Sequence, residues 1–329
     1  MNVLSLFDGM SCGRIALDRL GIKVDNYYAS EIDKYAMKVS EANYPDIIQV
    51  GDITELDLST LPKIDLIMGG SPCQGFSFAG KQLAFDDPRS ALFFEFVRCV
   101  KELKPKYFLL ENVRMKKEYL DVISEYMGVE PIMINSALVS AQNRVRYYWT
   151  NIPGIEQPEQ RSIVLRDILE DGFDSERDKS YCIDANYYKG ASVEQYKKKC
   201  RRQLVNKAIK IDKEKKQLTI KEATKKGYTT IEDGDCFDMT FPNSKTRRGR
   251  NMKDKSNCLT AANYDYMRYE HSEEDKEVYW RKLTPVECER LQTVPDNYTN
   301  HVSNTQRYKM LGNGWTIEVI THILKNIEL

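Results

Sequence analysis

The chain predicts an α/β protein: a doubly wound, mostly parallel sheet with a second, smaller domain. Three observations carry this. Short apolar runs alternate with amphipathic stretches through the first 113 residues. Those runs break into glycines or end on acidic residues, as strands do when their carboxyl ends feed ligand-binding turns. After Asn151-Ile152-Pro153-Gly154 the composition turns lysine-rich, and regular patterning returns only at Arg281. The expected division is residues 1–160 plus 305–329 as a catalytic, ligand-binding domain and 161–304 as the second domain.

The elements follow in order. Val3-Leu4-Ser5-Leu6-Phe7 is apolar and breaks into Asp8-Gly9-Met10-Ser11-Cys12-Gly13. Residues 14–20 have helical spacing and stop at Gly21. Residues 27–30 make a second strand ending in Glu31, and 32–43 a second helix. A third strand, 47–50, precedes Gly51-Asp52-Ile53, and 64–68 is the fourth. Residues 91–103 read as a helix, and 107–110 as a fifth strand closing on Glu111-Asn112-Val113. Further on, Thr284, Pro285 and Glu287 fit N-cap, N1 and N3 of a helix, a capping box. The chain closes with Met310-Leu311-Gly312-Asn313-Gly314-Trp315 and an amphipathic helix over 316–327.

Composition narrows the function. With 41% hydrophobic and 30% charged residues in 329, a sizeable core can form. Forty-nine basic residues balance forty-nine acidic ones, so net charge predicts no polyanion partner. The local distribution does: Lys189 to Lys226 holds fourteen Lys/Arg against four Asp/Glu, and Asn243 to Lys255 six against one. Such a concentration, among Tyr187, Tyr188, Tyr196 and Tyr228, suits phosphates, although Lys197-Lys198-Lys199 alone reads as a solvated helix face. Eight cysteines without a C-x-x-C pair argue against zinc or disulfides, so no metal is expected and a reducing cytosol is the simpler context. No apolar run approaches the ~18 residues of a membrane span. The N-terminus is too short in apolar residues, and lacks the basic start, of a signal peptide.

Chemistry centres on Gly69-Gly70-Ser71-Pro72-Cys73-Gln74-Gly75-Phe76-Ser77. A glycine pair ends the fourth strand, a proline stiffens the turn, and a thiol sits at its tip. By spacing alone that thiol is as well read as a small buried hydrophobe. The first turn, Phe7 to Gly13, lacks the G-x-G-x-x-G of a dinucleotide site. Glu31 suits a ribose diol and Asp52 an adenine amino group; either alone is equally a capping or solvated acid. Together with the glycine turn they favour an adenosine ligand without a diphosphate, such as S-adenosylmethionine. In Gln142-Asn143-Arg144-Val145-Arg146, the two arginines would share one face of a strand. That face is either solvated or aims a guanidinium pair at an acidic or carbonyl-bearing ligand.

In their order these motifs resemble the DNA cytosine-5 methyltransferases. The matches are Phe7-Asp8-Gly9, Glu31, Asp52-Ile53, Ser71-Pro72-Cys73-Gln74, Glu111-Asn112-Val113, Gln142-x-Arg144-x-Arg146, the Arg281-to-Gln292 block and Gly312-Asn313. The wording is similar to the branch holding the animal de novo enzymes, in a compact bacterial or phage-type architecture. The resemblance implies a methyltransferase sheet binding S-adenosylmethionine, with S-adenosyl-L-homocysteine as product. It implies Cys73 as nucleophile, Glu111 as the carboxyl at cytosine N3, Arg146 on the cytosine carbonyl and Arg144 behind the Cys73 loop. Cofactor contacts would come from Phe7, Asp8, Gly9, Met10, Cys12, Gly13, Glu31, Ile32, Asp52, Ile53, Pro72, Leu92, Asn313, Gly314 and Trp315. Residues 74–81 would close over a flipped base. DNA contacts would include Gln74, Ser77, Lys81, Lys245, Arg247, Arg248 and Arg250, with base-reading side chains within 243–250 and 263–268. Residues from about 163 to 279 would correspond to the target recognition domain.

The implied partner is double-stranded DNA, acted on by a monomer in a bacterial or phage-infected cytosol, with a cognate restriction endonuclease compatible but not required. Three rivals stand beside this. A tRNA cytosine-5 methyltransferase would share the motifs, a silent DNA-binding paralogue would lack one of Cys73, Glu111 and Arg146, and an NAD-linked oxidoreductase would need the missing glycine fingerprint.

Overall fold

The structure is a computed structural model. It describes residues 1–71, 91–170, 173–200, 202–210, 218–232, 234–238, 246, 250–252, 266–271 and 276–328, with the backbone only at 208–210, 218, 266–271 and 276–277. Two units divide it: Met1–Ile163, Glu289–Val302 and Asn313–Leu329 form the first, and Val164–Cys288 with Ser303–Gly312 the second.

The first unit is built on β1 (Asn2–Leu6), α1 (Cys12–Arg19), β2 (Asn26–Ser30), α2 (Lys34–Asn43), β3 (Ile48–Gln49), β4 (Leu66–Gly70), α3 (Ala91–Leu103), β5 (Tyr107–Val113), α4 (Lys117–Met127), β6 (Ile132–Asn135) and β7 (Val145–Thr150). Among the described residues these strands form one sheet in the order β3-β2-β1-β4-β5-β7-β6. β1 to β5 pair in parallel, and β7 enters antiparallel between β5 and β6. The strands read as continuous apolar runs because they are covered on both faces. α3 and α4 pack in one shared core against the strands. Phe93, Phe96 and Val97 of α3, spaced to share one helix side, join Tyr119, Ile123 and Met127 of α4 against Leu4, Leu6, Ile67 and Leu110.

Winding runs outward from β1 through β2 to β3, then reverses through β4 to β5. The crevice between β1 and β4 is therefore the topological switch point, where open α/β sheets hold ligands. Leu6 lies beside Gly69, and Gly70 beside Glu111. The turn after β1 leaves from this point, and β4 ends there at Gly70.

Two strands run further than their sequence predicts. β4 includes Gly69 and Gly70 instead of ending before them, and β5 continues through Glu111, Asn112 and Val113. The glycines pair within the sheet because their neighbours leave no room for a side chain. A Cβ at residue 69 would lie 2.7 Å from the Leu6 carbonyl oxygen.

The second unit carries α5 (Val193–Lys199), β8 (Leu204–Lys210), β9 (Leu218–Lys221), β10 (Tyr228–Ile231), β11 (Cys236–Asp238), β12 (Asn251–Met252), β13 (Tyr266–His271) and β14 (Lys276–Lys282). Its main sheet runs β12-β11-β13-β14-β8, all antiparallel, and β9 and β10 form a separate hairpin. Small apolar clusters hold it: Ile220, Ile231, Phe237 and Tyr279, and separately Val193, Tyr196, Leu204 and Trp280. α6 (Pro285–Leu291) opens on the expected capping box: Thr284 Oγ1 accepts from the Glu287 N–H at 3.1 Å, and Glu287 Oε2 accepts from the Thr284 N–H at 2.8 Å. The Arg281 guanidinium grips the same carboxylate with two bonds of 2.7 Å. α7 (Asn304–Asn313) and α8 (Ile317–Leu324) end the chain. Among the described residues no helix is long and apolar enough to cross a membrane.

Candidate active site

The turn after β1 is the first wall of the site. Phe7, Gly9 and Ser11 all have left-handed backbone, φ 54°, 60° and 59°. Two non-glycine residues in that region are a strained arrangement that surrounding contacts must hold. Those contacts are present. The Asp8 N–H donates to the Ser30 carbonyl at 3.1 Å and the Gly9 N–H to Glu31 Oε2 at 2.7 Å. Ser11 Oγ donates to Asp8 Oδ2 and Tyr27 OH to Asp8 Oδ1, while Ser40 Oγ donates to the Gly9 carbonyl at 3.2 Å. Tyr298 OH donates to the Met10 carbonyl at 2.8 Å.

This wiring decides what the turn can hold. The N–H groups of Asp8 and Gly9 are spent inside the protein, so the turn is a poor diphosphate cradle. Yet nothing lies within 4 Å of where a Gly9 Cβ would be, so a ligand can approach the backbone closely. The mouth is also acidic, with Asp8, Glu31 and Asp52. Burial lifts the Asp8 carboxyl to about 6, against the lowering effect of bonds from Ser11, Ser5 and Tyr27 and with the help of the Glu31 charge. This donor set fits a nucleoside bearing positive charge better than one bearing phosphates.

The remaining expected cofactor residues divide by exposure. Ile32 is 75% exposed and follows Glu31, whose Oε1 accepts from the Ile32 and Asp33 N–H groups at 2.8 Å. Asp52 Oδ1 accepts from the Thr54 backbone and hydroxyl, both at 2.9 Å. Ile53 is buried beside the half-buried Phe7 and Leu92, which pack on the same core. Met10, Cys12 and Gly13 are buried beneath the turn and act by shaping it. Burial pushes the thiols of Cys12 and Cys99 up to about 12, which leaves them neutral and unreactive near pH 7.

Glu111, Asn112 and Arg146 form the opposite wall, on β5 and β7. Glu111 is 7% exposed. Glu111 stands opposite Tyr148, so Arg146 is its diagonal neighbour across the strand pair, and Arg146 Nε reaches Glu111 Oε1 at 2.9 Å. Asn112 Nδ2 donates to Ser71 Oγ at 3.3 Å in a buried contact, and Asn112 Oδ1 accepts from the Val113 N–H at 2.8 Å. Asn112 thus ties down Ser71, just after β4. Pro72, Cys73, Gln74, Ser77 and Lys81, and the base-closing segment 74–81, lie outside the described residues.

The arginine pair differs from its sequence prediction. Arg144 lies one residue before β7, so the two arginines are not on one assigned strand, and they meet different partners. It is buried, and its Nη2 donates to the Gly314 carbonyl at 2.7 Å. Sequence reasoning missed the network around it. Gln292 Nε2 also donates to the Gly314 carbonyl, at 3.2 Å, and Gln142 Nε2 donates to Gln292 Oε1 at 3.2 Å. Thr316 Oγ1 donates to Gln292 Oε1 at 2.8 Å and accepts from Ser136 Oγ at 2.9 Å. These residues pin the segment carrying exposed Asn313 and half-buried Gly314 and Trp315. The hint in the sequence is that Gln142 and Gln292 stand inside charged motifs, where an uncharged amide serves to bridge.

In the second unit, Arg250 corrects an expectation. Its place in a basic cluster predicts a DNA contact, but it is 1% exposed. Its guanidinium donates to the Asp238 carbonyl at 2.6 and 3.1 Å and to the Lys221 carbonyl at 2.7 Å. It cross-links the β9–β10 hairpin to β11. Lys245, Arg247, Arg248 and residues 263–265 lie outside the described residues.

The fold and this wall of paired side chains define an α/β protein whose sheet has its switch point between β1 and β4, beside the buried carboxyl of Glu111. Residues 1–329 match the C-5 cytosine-specific DNA methylase family. The chain belongs to that family. It is 32% identical to the type II methyltransferase M1.ScrFI of Lactococcus lactis over 99% of this chain and 77% of that one. It is 28% identical to the type II methyltransferase M.NlaX of Neisseria lactamica over 99% and 96%. A solved structure described as a prophage-encoded DNA modification methyltransferase of E. coli superposes with a TM-score of 0.57, at 23% identity, over 99% of this chain and 98% of that one. That structure shares the fold.

Proposed function

We propose that the protein transfers a methyl group from S-adenosylmethionine to C5 of a cytosine flipped out of duplex DNA. The observation that carries this is the buried Glu111 at the carboxyl end of β5, ion-paired with Arg146 and beside Gly70 at the end of β4, three residues before Cys73, in a member of this family. When bound, S-adenosylmethionine supplies the electrophilic methyl and leaves as S-adenosyl-L-homocysteine.

The chain's own residues do the rest. The Cys73 thiolate adds to C6, placing electron density on the ring that C5 uses to take the methyl. Glu111 holds a proton at N3, which stabilises the charge developed by that addition. Arg146 orients Glu111 and faces the cytosine carbonyl. Loss of the C5 proton to water then restores the double bond and expels the Cys73 sulfur. The turn at Phe7 to Gly9, with Glu31, Ile32, Asp52, Ile53 and Leu92, would hold the adenosyl group. The second unit would be the target recognition domain, gripping phosphates through Lys245, Arg247 and Arg248 and through the exposed Lys225 and Lys226 of the β9–β10 turn. The naming of relatives as type II methyltransferases supports a place beside a restriction endonuclease in a bacterial cytosol, with a monomer sufficient for one flipped base.

A duplex containing 5-fluorocytosine tests the chemistry, because fluorine cannot leave C5 as a proton does. With cofactor present, a covalent adduct mapping to Cys73 by mass spectrometry is expected. Cys73→Ala should abolish both adduct and methyl transfer while keeping cofactor affinity. An adduct on another residue, or turnover by that variant, would overturn the assignment. Running tRNA beside duplex DNA as acceptor separates the RNA-modifying alternative.

A further inference from the structure

Glu111 accepts a hydrogen bond that the reaction scheme does not use. Trp315 Nε1 donates to Glu111 Oε2 at 3.1 Å, while Arg146 Nε makes its ion pair at Oε1. We propose that Trp315 is a positioning residue whose indole N–H sets the plane of the Glu111 carboxyl for the target base. This rests on the reading of Glu111 as the carboxyl at N3.

Three observations support it. First, the two contacts come from separate elements, β7 and the C-terminal segment: an ion pair at Oε1 and a hydrogen bond at Oε2. A carboxyl held at one oxygen can still turn about its terminal bond, which is a soft torsion; a contact at each oxygen restrains that rotation. Secondly, Trp315 is itself held. Its neighbour's carbonyl, at Gly314, takes bonds from Arg144 and Gln292, at 2.7 and 3.2 Å, and its own carbonyl faces the Cys12 thiol at 4.0 Å. The indole is thus aimed from a fixed base. Thirdly, β4 leaves space for this contact. A Cβ at Gly70 would lie 2.8 Å from Glu111 Oε2 and 3.0 Å from Trp315 Nε1. Residue 70 faces the bonded pair, and only glycine leaves the bond undisturbed.

The competing reading makes Trp315 an aromatic wall for the cofactor and nothing more. Phenylalanine separates the two, since it keeps the ring and removes the N–H. Single-turnover methyl transfer to duplex DNA, cofactor affinity by calorimetry and thermal midpoint would be measured for Trp315→Phe, Glu111→Gln, the double variant and Gly70→Ala. Misplacing a reacting group by an ångström costs up to about 100-fold, so Trp315→Phe should slow transfer about 10- to 100-fold. Its cofactor affinity should stay within about threefold, and the slowing should vanish in the Glu111→Gln background. Gly70→Ala should slow transfer in the same way.

An equal slowing in both backgrounds, a loss of cofactor affinity matching the loss of rate, or a wild-type rate in Trp315→Phe beside an impaired Glu111→Gln overturns the inference alone. A wild-type rate in Glu111→Gln instead removes the reading beneath it.

Discussion

The two units use charge in opposite ways. In the first, charged and polar groups around the candidate site are enclosed and matched: Glu111 with Arg146 and Trp315, Arg144 with Gly314, Asp8 with Ser11 and Tyr27. Among the described residues of the second, lysines are displayed outward, as at exposed Lys197, Lys198, Lys199, Lys225 and Lys226. Arg250 is an exception within the second unit, spending its guanidinium on backbone carbonyls. An enclosed charge has one geometry and one job, and losing its partner is costly. An exposed charge contributes little to stability and acts at long range on a polyanion. Counting charges therefore identifies a class of partner, while burial decides which residues can meet it.

Two buried arginines put this to the sharpest test. Arg144→Met and Arg250→Met each remove charge-assisted bonds to buried carbonyls, a loss of about 2–3 kcal/mol. Chemical denaturation should show a lowered midpoint in both. Arg144→Met should also impair methyl transfer, because the Gly314–Trp315 segment loses its anchor. Arg250→Met should leave the salt dependence of DNA binding as it was. A reduced salt slope in Arg250→Met would return that residue to the DNA surface.

A smaller effect is expected from the exposed hairpin. Lys225→Ala with Lys226→Ala should keep the thermal midpoint. The slope of log K against log salt should become shallower by up to about 0.9 for each phosphate that the variant no longer neutralises. An unchanged slope would take the β9–β10 turn out of the DNA interface.

A pH effect is expected at Asp8. Its folded carboxyl lies near 6, above the ordinary aspartate value near 3.9. A raised carboxyl disfavours the charged form, so its contribution to stability is full below about pH 4 and is lost as pH rises through about 6. Asp8→Asn should therefore flatten stability against pH across that window relative to wild type. A parallel pair of curves would mean that Asp8 titrates as an ordinary surface acid.

Much of the molecule is readable from residues alone. Apolar runs alternating with helical spacing predict the parallel sheet, and Thr284 with Glu287 predicts its capping box, because both are local in the chain. Glu111 and Arg146, singled out by their motifs, meet as an ion pair. Other features are not. Gly69 and Gly70 look like the end of a strand, because their need for glycine comes from Leu6, Glu111 and Trp315 on other segments. Arg144 looks like a partner to Arg146 on one strand face, although β7 begins one residue later. Arg250 looks like part of a basic cluster, since sequence carries no information on burial.

The sequence by itself determined the alternation of elements, the family and the residue types that the chemistry needs, since each depends on order and spacing along the chain. Only the tertiary structure decided which donor each carboxylate and carbonyl receives. Those pairings join residues as far apart as Glu111 and Trp315, and they depend on the sheet register and the close packing of chain segments that no local pattern records.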